Sequence, residues 1–291
     1  MGLFALSLDL ILGYAGIVSL GHAAFFGLGA YSAGLLAKHG LGDPLLGLLG
    51  GAVAAALISF ITSFLLLRGS DLTRLMVTLG IALMLFEAAN RFASITGGAD
   101  GLQGMMVKPV LGLFAFDLFG RTAYLYSLVV LFLLLLLARR IVHSPFGLSL
   151  RAVKANRLRA GAIGISPATR LIAIYTVSAA YAGVAGALSA QTTQLVSLDV
   201  LDFHRSADVM LVLVIGGVGW LYGGIIGAII FSLMQDWLAG ITPQYWEFWI
   251  GLVLVSLVLV GHGRLQSFLK SGIGLVFNRL GLASADQRSV S

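Results

Sequence analysis

The sequence contains no cysteine in 291 residues. This excludes a disulfide scaffold, a thiolate metal site and a cysteine nucleophile. Charge is also scarce. Asp, Glu, Lys and Arg make up 10% of the chain, against about 25% in a soluble globular protein. A water-facing surface is hard to build from so few charges. The five histidines are scattered, with no two at i,i+3 or i,i+4, so no zinc site is expected. There is no Gly-x-x-x-x-Gly-Lys-Ser/Thr phosphate loop, no Gly-x-Ser-x-Gly elbow and no His-Glu-x-x-His helix. Neither catalysis nor a cofactor bound by this chain is expected.

What the chain does have is apolar length. Hydrophobic residues reach 59%, glycines number 38 and the mean hydropathy is +1.00. This reads as an all-α polytopic membrane protein, with about eight transmembrane or half-membrane helices. The net charge of +6 suits basic cytoplasmic loops rather than a nucleic-acid partner. The start lacks a basic n-region, and its apolar run continues too far for a cleavable signal peptide.

A bilayer core about 30 Å thick needs about 20 mostly apolar residues per helix. Candidate spans are residues 45–67, 75–89, 124–138, 171–190 and 249–260. The last is preceded by an aromatic cluster typical of a membrane–water interface. Two runs are unusual. Residues 3–37 carry one charge, Asp9, and are interrupted by glycines at positions 13, 16, 21, 27 and 29 among others. Residues 209–234 contain Gly216-Gly217-Val218-Gly219 and Gly223-Gly224. Glycine costs about 1 kcal/mol inside a helix, so both runs are expected to break. Broken segments in both halves of a membrane chain point to a transport pathway. The plain alternative is that glycines let helices pack closely.

Seven of the 18 basic residues, and no acid, lie between Arg139 and Arg170. That loop is therefore expected to be cytoplasmic, and so is the basic tail. Two cytoplasmic ends need an even number of crossings between them. The parity is met if residues 209–234 enter and leave on one side as two short half-helices. Asp199, Asp202, Asp236 and Glu247 then face outward. Residues 1–262 read as the membrane domain, with 144–165 as a cytoplasmic loop within it, and 263–291 as a cytoplasmic tail. Residues 101–119 mix Gly, Pro and apolar residues and are expected along the outer surface.

Few ionisable groups lie inside apolar runs. Glu87 and Arg91 are spaced for an i,i+4 ion pair. Asp9 is assigned no role beyond a cap or a contact with a partner chain. His22 either lines a pathway or is hydrogen-bonded inside the bundle. In the basic loop, Ser144-Pro145-Phe146-Gly147 breaks the preceding helix. Residues 148–163 then read as a short helix with Gly164 as its C-cap. Phe146, Leu150 and Val153 share one face, and Arg151, Lys154 and Arg157 form a basic stripe. By physics alone this helix either lies on anionic lipid or docks a cytoplasmic partner.

The loop is also where a resemblance emerges. Ser144-Pro145-Phe146-Gly147, LRAVKAN at 150–156 and AGAIGI at 160–165 resemble the coupling loop of the membrane subunits of branched-chain amino-acid ABC importers. Four further stretches resemble that family in the same order. They are LGYAGIVSLGHAAFFGLGAY at 12–31, ITGGADGL at 95–102, SAAYAGVAGAL at 178–188 and GGVGWLYGGIIGA at 216–228. The resemblance implies a permease in a bacterial inner membrane. Its partners would be two cytoplasmic ATPase subunits that carry the ATP, a second related permease, an external substrate-binding protein and membrane lipid. It implies coupling residues at Arg151, Lys154, Asn156, Gly161 and Gly164, with Arg151 and Lys154 against the ATPase. Pathway candidates are His22, Phe25, Phe26, Gly216, Gly217 and Gly219. The chain departs from the family pattern, which has acids near Ala155 and Arg157, proline where Gly224 stands, a more aromatic stretch at 71–74 and often more helix before the first motif. The cargo expectation is a branched-chain or other apolar amino acid. Urea or short amides, and a self-sufficient channel, are the alternatives.

Overall fold

The computed structural model describes residues 1–66, 69, 71–109, 114, 120–241, 245, 248–253 and 255. The chain divides into two compact units, Met1–Phe231 and Ser232–Ser291. Among the described residues the regular secondary structure is helical, and Leu102 and Val196 form an isolated antiparallel bridge.

The first apolar run is two helices, α1 (Gly2–Ala15) and α2 (His22–Lys38). Gly16, at φ 71°, ends α1 in the left-handed region that glycine enters without steric cost. The spans expected at 45–67 and 75–89 are α3 (Pro44–Leu66) and α4 (Asp71–Arg91). A short α5 (Ala93–Thr96) follows. The spans expected at 124–138 and 171–190 are α6 (Arg121–Val142) and α9 (Pro167–Thr193). The basic loop between them folds into α7 (Pro145–Ala155) and α8 (Arg157–Ala162). The second glycine-broken run spans the ends of α10 (Phe203–Gly216) and α11 (Gly223–Ile241). Among the described residues, five helices are long and apolar enough to cross a membrane: α3, α4, α6, α9 and α11.

Two expectations are corrected here. The two short half-helices are in fact unequal. α10 has 14 residues, whereas α11 has 19 and reaches span length. The apolar run continues past its glycines to Ile241, and nothing in that stretch stops the helix. Glu87 and Arg91 are both exposed on α4 and form no ion pair. Correct spacing brings long side chains within reach but supplies little net energy at an exposed site. The expected tail at 263–291 lies outside the described residues, as does Glu247. The span at 249–260 is described only at 249–253 and 255, where it is helical.

Within Met1–Phe231 the centre is α9, flanked by α2 and α3, with α1 packed along it. The contact is backbone against backbone. A methyl group on Gly29 of α2 would overlap the carbonyl of Gly183 on α9, and one on Gly183 would overlap the carbonyl of Gly51 on α3. In lipid there is no hydrophobic drive between helices, so close approach through small residues does that work. Gln191 joins the same group of helices: its amide donates to the Pro44 carbonyl at 2.9 Å and its oxygen accepts from the Tyr126 hydroxyl at 3.1 Å. By contrast α3 and α6 turn rows of apolar side chains outward, among them Leu57, Phe60 and Ile61, and Phe132 and Leu133. Those faces suit lipid tails or neighbouring apolar helices.

Gly29→Val is expected to prevent close approach of α2 and α9. Overpacking of this kind costs about 1–3 kcal/mol. The variant should lose its monodisperse peak in size-exclusion chromatography after mild heating in detergent. Gly80→Ala should keep it, because a methyl at Gly80 meets no atom within 4 Å.

Candidate functional site

The basic loop is built by its caps. Ser144 caps α7, its hydroxyl accepting from the Gly147 amide at 3.5 Å, and Pro145 occupies the first helical position. Proline suits that position because its missing N–H has no partner there anyway. Leu150 and Val153 are buried as the expected apolar face, and the Arg170 guanidinium lies 5.5 Å over the Phe146 ring. The single helix expected over 148–163 is interrupted at Asn156. This residue is extended, at φ −160° and ψ 109°, and its side chain accepts from the Arg159 amide at 3.0 Å. Asn at a cap offers the backbone a better partner than a continued helix does. Asn156 therefore ends α7 and starts α8. Gly164 behaves as expected. It lies at φ 86°, its amide donates to the Gly161 carbonyl, and the Ile165 amide donates to the Ala160 carbonyl at 3.0 Å. The pair of bonds is a Schellman-type C-cap.

Two residues of the basic stripe face α1. The Lys154 ammonium donates to the Gly13 carbonyl at 2.6 Å. The Arg151 guanidinium lies 5.4 Å from the centre of the Tyr14 ring, within cation–π range. Gly13 and Tyr14 belong to the last turns of α1, where carbonyls have no helical partner. A lysine there satisfies one of them. The outward face of the loop is different in kind. Leu158 is 87% exposed and Ile163 72% exposed, with Arg159 exposed beside them.

One turn further into α1 stands Asp9. It is fully buried, and its Oδ1 accepts from the Gly219 amide at 2.7 Å. Gly219 lies at φ 81° in the turn joining α10 to α11. At that turn the two helices touch through glycine. A methyl on Gly216 would overlap the Gly223 carbonyl, and one on Gly227 would overlap the Val212 carbonyl. One short helix thus holds the basic loop near its end and the glycine-rich turn one helical turn earlier. Sequence reasoning missed both attachments, although Asp9 was conspicuous as the lone charge of its run.

The expected pathway residues separate into groups. His22 and Phe25 are buried in the core. The His22 Nε2 is 2.8 Å from the Ser7 hydroxyl, its ring stacks on Phe4, and Phe25 meets Tyr175 edge-on at 5.5 Å. Ser178 ties this group to α9 by donating to the Ser7 carbonyl. The start of α2 is tied to α10, where the Ser206 hydroxyl accepts from the Ala23 amide at 2.9 Å. Phe26 instead borders a cavity. Gly216, Gly217 and Gly219 line the α10–α11 turn. Among the described residues no group of three His, Asp or Glu side chains can hold a metal ion.

A polytopic helical chain with broken apolar segments and a capped basic loop has the build of a transporter's membrane subunit. The chain belongs to the family described as branched-chain amino acid transport system, permease component, which it matches over residues 1–259. It is similar to the high-affinity branched-chain amino acid transport system permease protein LivM of Salmonella typhimurium, at 28% identity over 301 residues. The match covers 93% of this chain and 70% of that relative. The LivM protein of Escherichia coli K12 is 28% identical over 305 residues, with the same coverages. No solved structure matches the chain.

Asp9→Ala is expected to leave the Gly219 amide without its partner, at a cost of about 1–3 kcal/mol. Hydrogen exchange at residues 217–222 should then accelerate at least tenfold. Asp9→Asn keeps an acceptor and should exchange near the wild-type rate. Equal protection in all three proteins would show that Asp9 does not hold the turn.

Proposed function

We propose that this chain is one of two related permease subunits of an ATP-driven importer in a bacterial inner membrane, with a branched-chain or other apolar amino acid as cargo. The ATP is bound and hydrolysed by cytoplasmic partners, and a binding protein delivers cargo on the other side. The chain itself catalyses no reaction. The observation that carries this reading is the outward face of the basic loop, where the strongly exposed Leu158 sits beside Arg159 on a helix capped at both ends. An apolar side chain so exposed, flanked in sequence by Arg157 and Arg159, suits a partner surface with an apolar socket and an acidic rim. A methyl on Gly161 would meet open space. Among the described residues nothing requires glycine there, and its absence of a side chain leaves room for a partner to approach.

The roles within the loop divide accordingly. Leu158, Arg159 and Gly161 face the ATPase. Arg151 and Lys154 fasten the loop to α1, so they transmit force rather than receive it. Asn156 and Gly164 hold the shape of α8. A push on α8 passes through α7 to the end of α1, and through Asp9 to the turn at Gly219. That turn is a join between two helices, so a small displacement there changes their mutual angle.

Leu158→Asp combined with Arg159→Glu should lower ATP-driven uptake of leucine, isoleucine or valine at least tenfold. The amount of permease in the membrane should not change, since neither side chain is part of the core. Unchanged uptake would remove the docking role. Uptake that persists in ATP-depleted vesicles would replace the importer with a channel, and uptake of urea instead of amino acids would reassign the cargo.

A further inference from the structure

A cavity of about 330 Å³ opens among α1, α2, α6, α9 and α10. Its wall includes Phe26, Leu131, Ser127, Ser189, Thr192 and Arg205. Small-ligand sites are mostly apolar, with a few placed polar groups, and run from about 300 Å³ upward. This cavity has that composition and the size for a small occupant.

Its position along the bundle is set by α9. That helix starts at Pro167, directly after the basic loop, and Ser189 stands 22 residues further on. At a rise of about 1.5 Å per residue the cavity lies roughly 30 Å from the loop. α1 gives the same answer, since its far end is held by Arg151 and Lys154 while its first residues line the cavity. With the basic loop cytoplasmic, the cavity is at the external end.

Arg205 gives the cavity its chemistry. Among the described residues, no carboxylate lies within ion-pair distance of its guanidinium. Of the two acids three residues to either side of it, Asp202 is turned to its own helix start, accepting from the His204 amide at 3.2 Å and meeting the His204 Nδ1 at 3.2 Å. Arg205 is half-buried in the first turn of α10. Its planar fork matches a carboxylate with two parallel hydrogen bonds. Ser127, Ser189 and Thr192 lie in the same wall, and Phe26 and Leu131 supply an apolar one.

We infer that this external cavity is an entry site for a zwitterionic apolar amino acid, with Arg205 binding the α-carboxylate and the Phe26–Leu131 wall accepting the side chain. The inference rests on the amino-acid importer reading, and it adds a place where the permease itself recognises cargo. It makes the permease selective for a free carboxylate independently of the binding protein.

The absence of native cysteine makes a direct test possible. Ser189→Cys places the chain's one thiol in the cavity wall, within the whole complex in membrane vesicles. A small thiol-specific methanethiosulfonate reagent is added from the external side, with no binding protein present. L-leucine, L-isoleucine or L-valine should slow modification at least threefold. Leucinamide, which has the side chain but no carboxylate, should not. Adding Arg205→Gln should abolish the protection, and Arg205→Lys should keep part of it. Thr192→Cys replaces Ser189→Cys if the latter fails to accumulate. No protection by any of the three amino acids would overturn the inference, and so would equal protection by leucinamide. So would a modification rate insensitive to amino acids that rises when anionic lipids are removed, because the anion at Arg205 would then be a lipid phosphate. ATP-dependent uptake is followed in the same vesicles with binding protein added. Uptake without protection removes the cavity site alone. Protection without ATP-dependent uptake keeps the site and removes the importer reading.

Discussion

The central helices meet through bare backbone. Gly29 of α2, Gly51 of α3 and Gly183 of α9 meet where no side chain would fit. In a bilayer, helices gain nothing by hiding apolar surface from lipid that is equally apolar. Close approach through glycine gives them dispersion contacts that lipid cannot match. Once those three helices are joined, α1 has a surface to lie on, and it becomes buried along most of its length. A short helix buried so fully can carry a charged residue only if something meets the charge. The Gly219 amide meets one carboxyl oxygen of Asp9.

The functional arrangement grows from that placement. The end of α1 offers a free carbonyl at Gly13 and a ring at Tyr14, and the basic loop fastens to both. The same helix holds the α10–α11 turn. Polar contacts therefore help to join loop, short helix and glycine-rich turn. Polar contacts are directional, so they suit parts that must move together and then return. The small number of bonds involved keeps the energy of such a motion modest, since a hydrogen bond contributes about 0.5–1.5 kcal/mol net.

Much of this was legible in the residues. Apolar runs bounded by arginine marked α3, α4, α6 and α9, because length and hydropathy are what a bilayer demands. Gly164 was legible as a cap because glycine reaches a positive φ without strain. The ordered motifs pointed to the family, and the family match over residues 1–259 bears that out. Other features were hidden for physical reasons. The break at Asn156 depends on a side chain competing with the helix for one amide, and periodicity does not register it. The contacts of Lys154 with the Gly13 carbonyl and of Arg151 with the Tyr14 ring were invisible, because a basic stripe looks the same whether or not it also touches its own chain. The length of α11 was underestimated, since a glycine pair at a helix start reads like a glycine pair in its middle. Asp9 shows the limit most clearly. Its partner is 210 residues away in sequence, and no local pattern links the two.

The claim on which the functional account stands is that this chain works as part of a larger assembly. Gentle purification of the tagged chain from its native membrane, followed by mass spectrometry of the proteins that accompany it, tests that most directly. The account predicts recovery of a cytoplasmic ATPase and a second, related permease. Reproducible recovery of this chain alone, from membranes that still take up the solute without ATP, would contradict it.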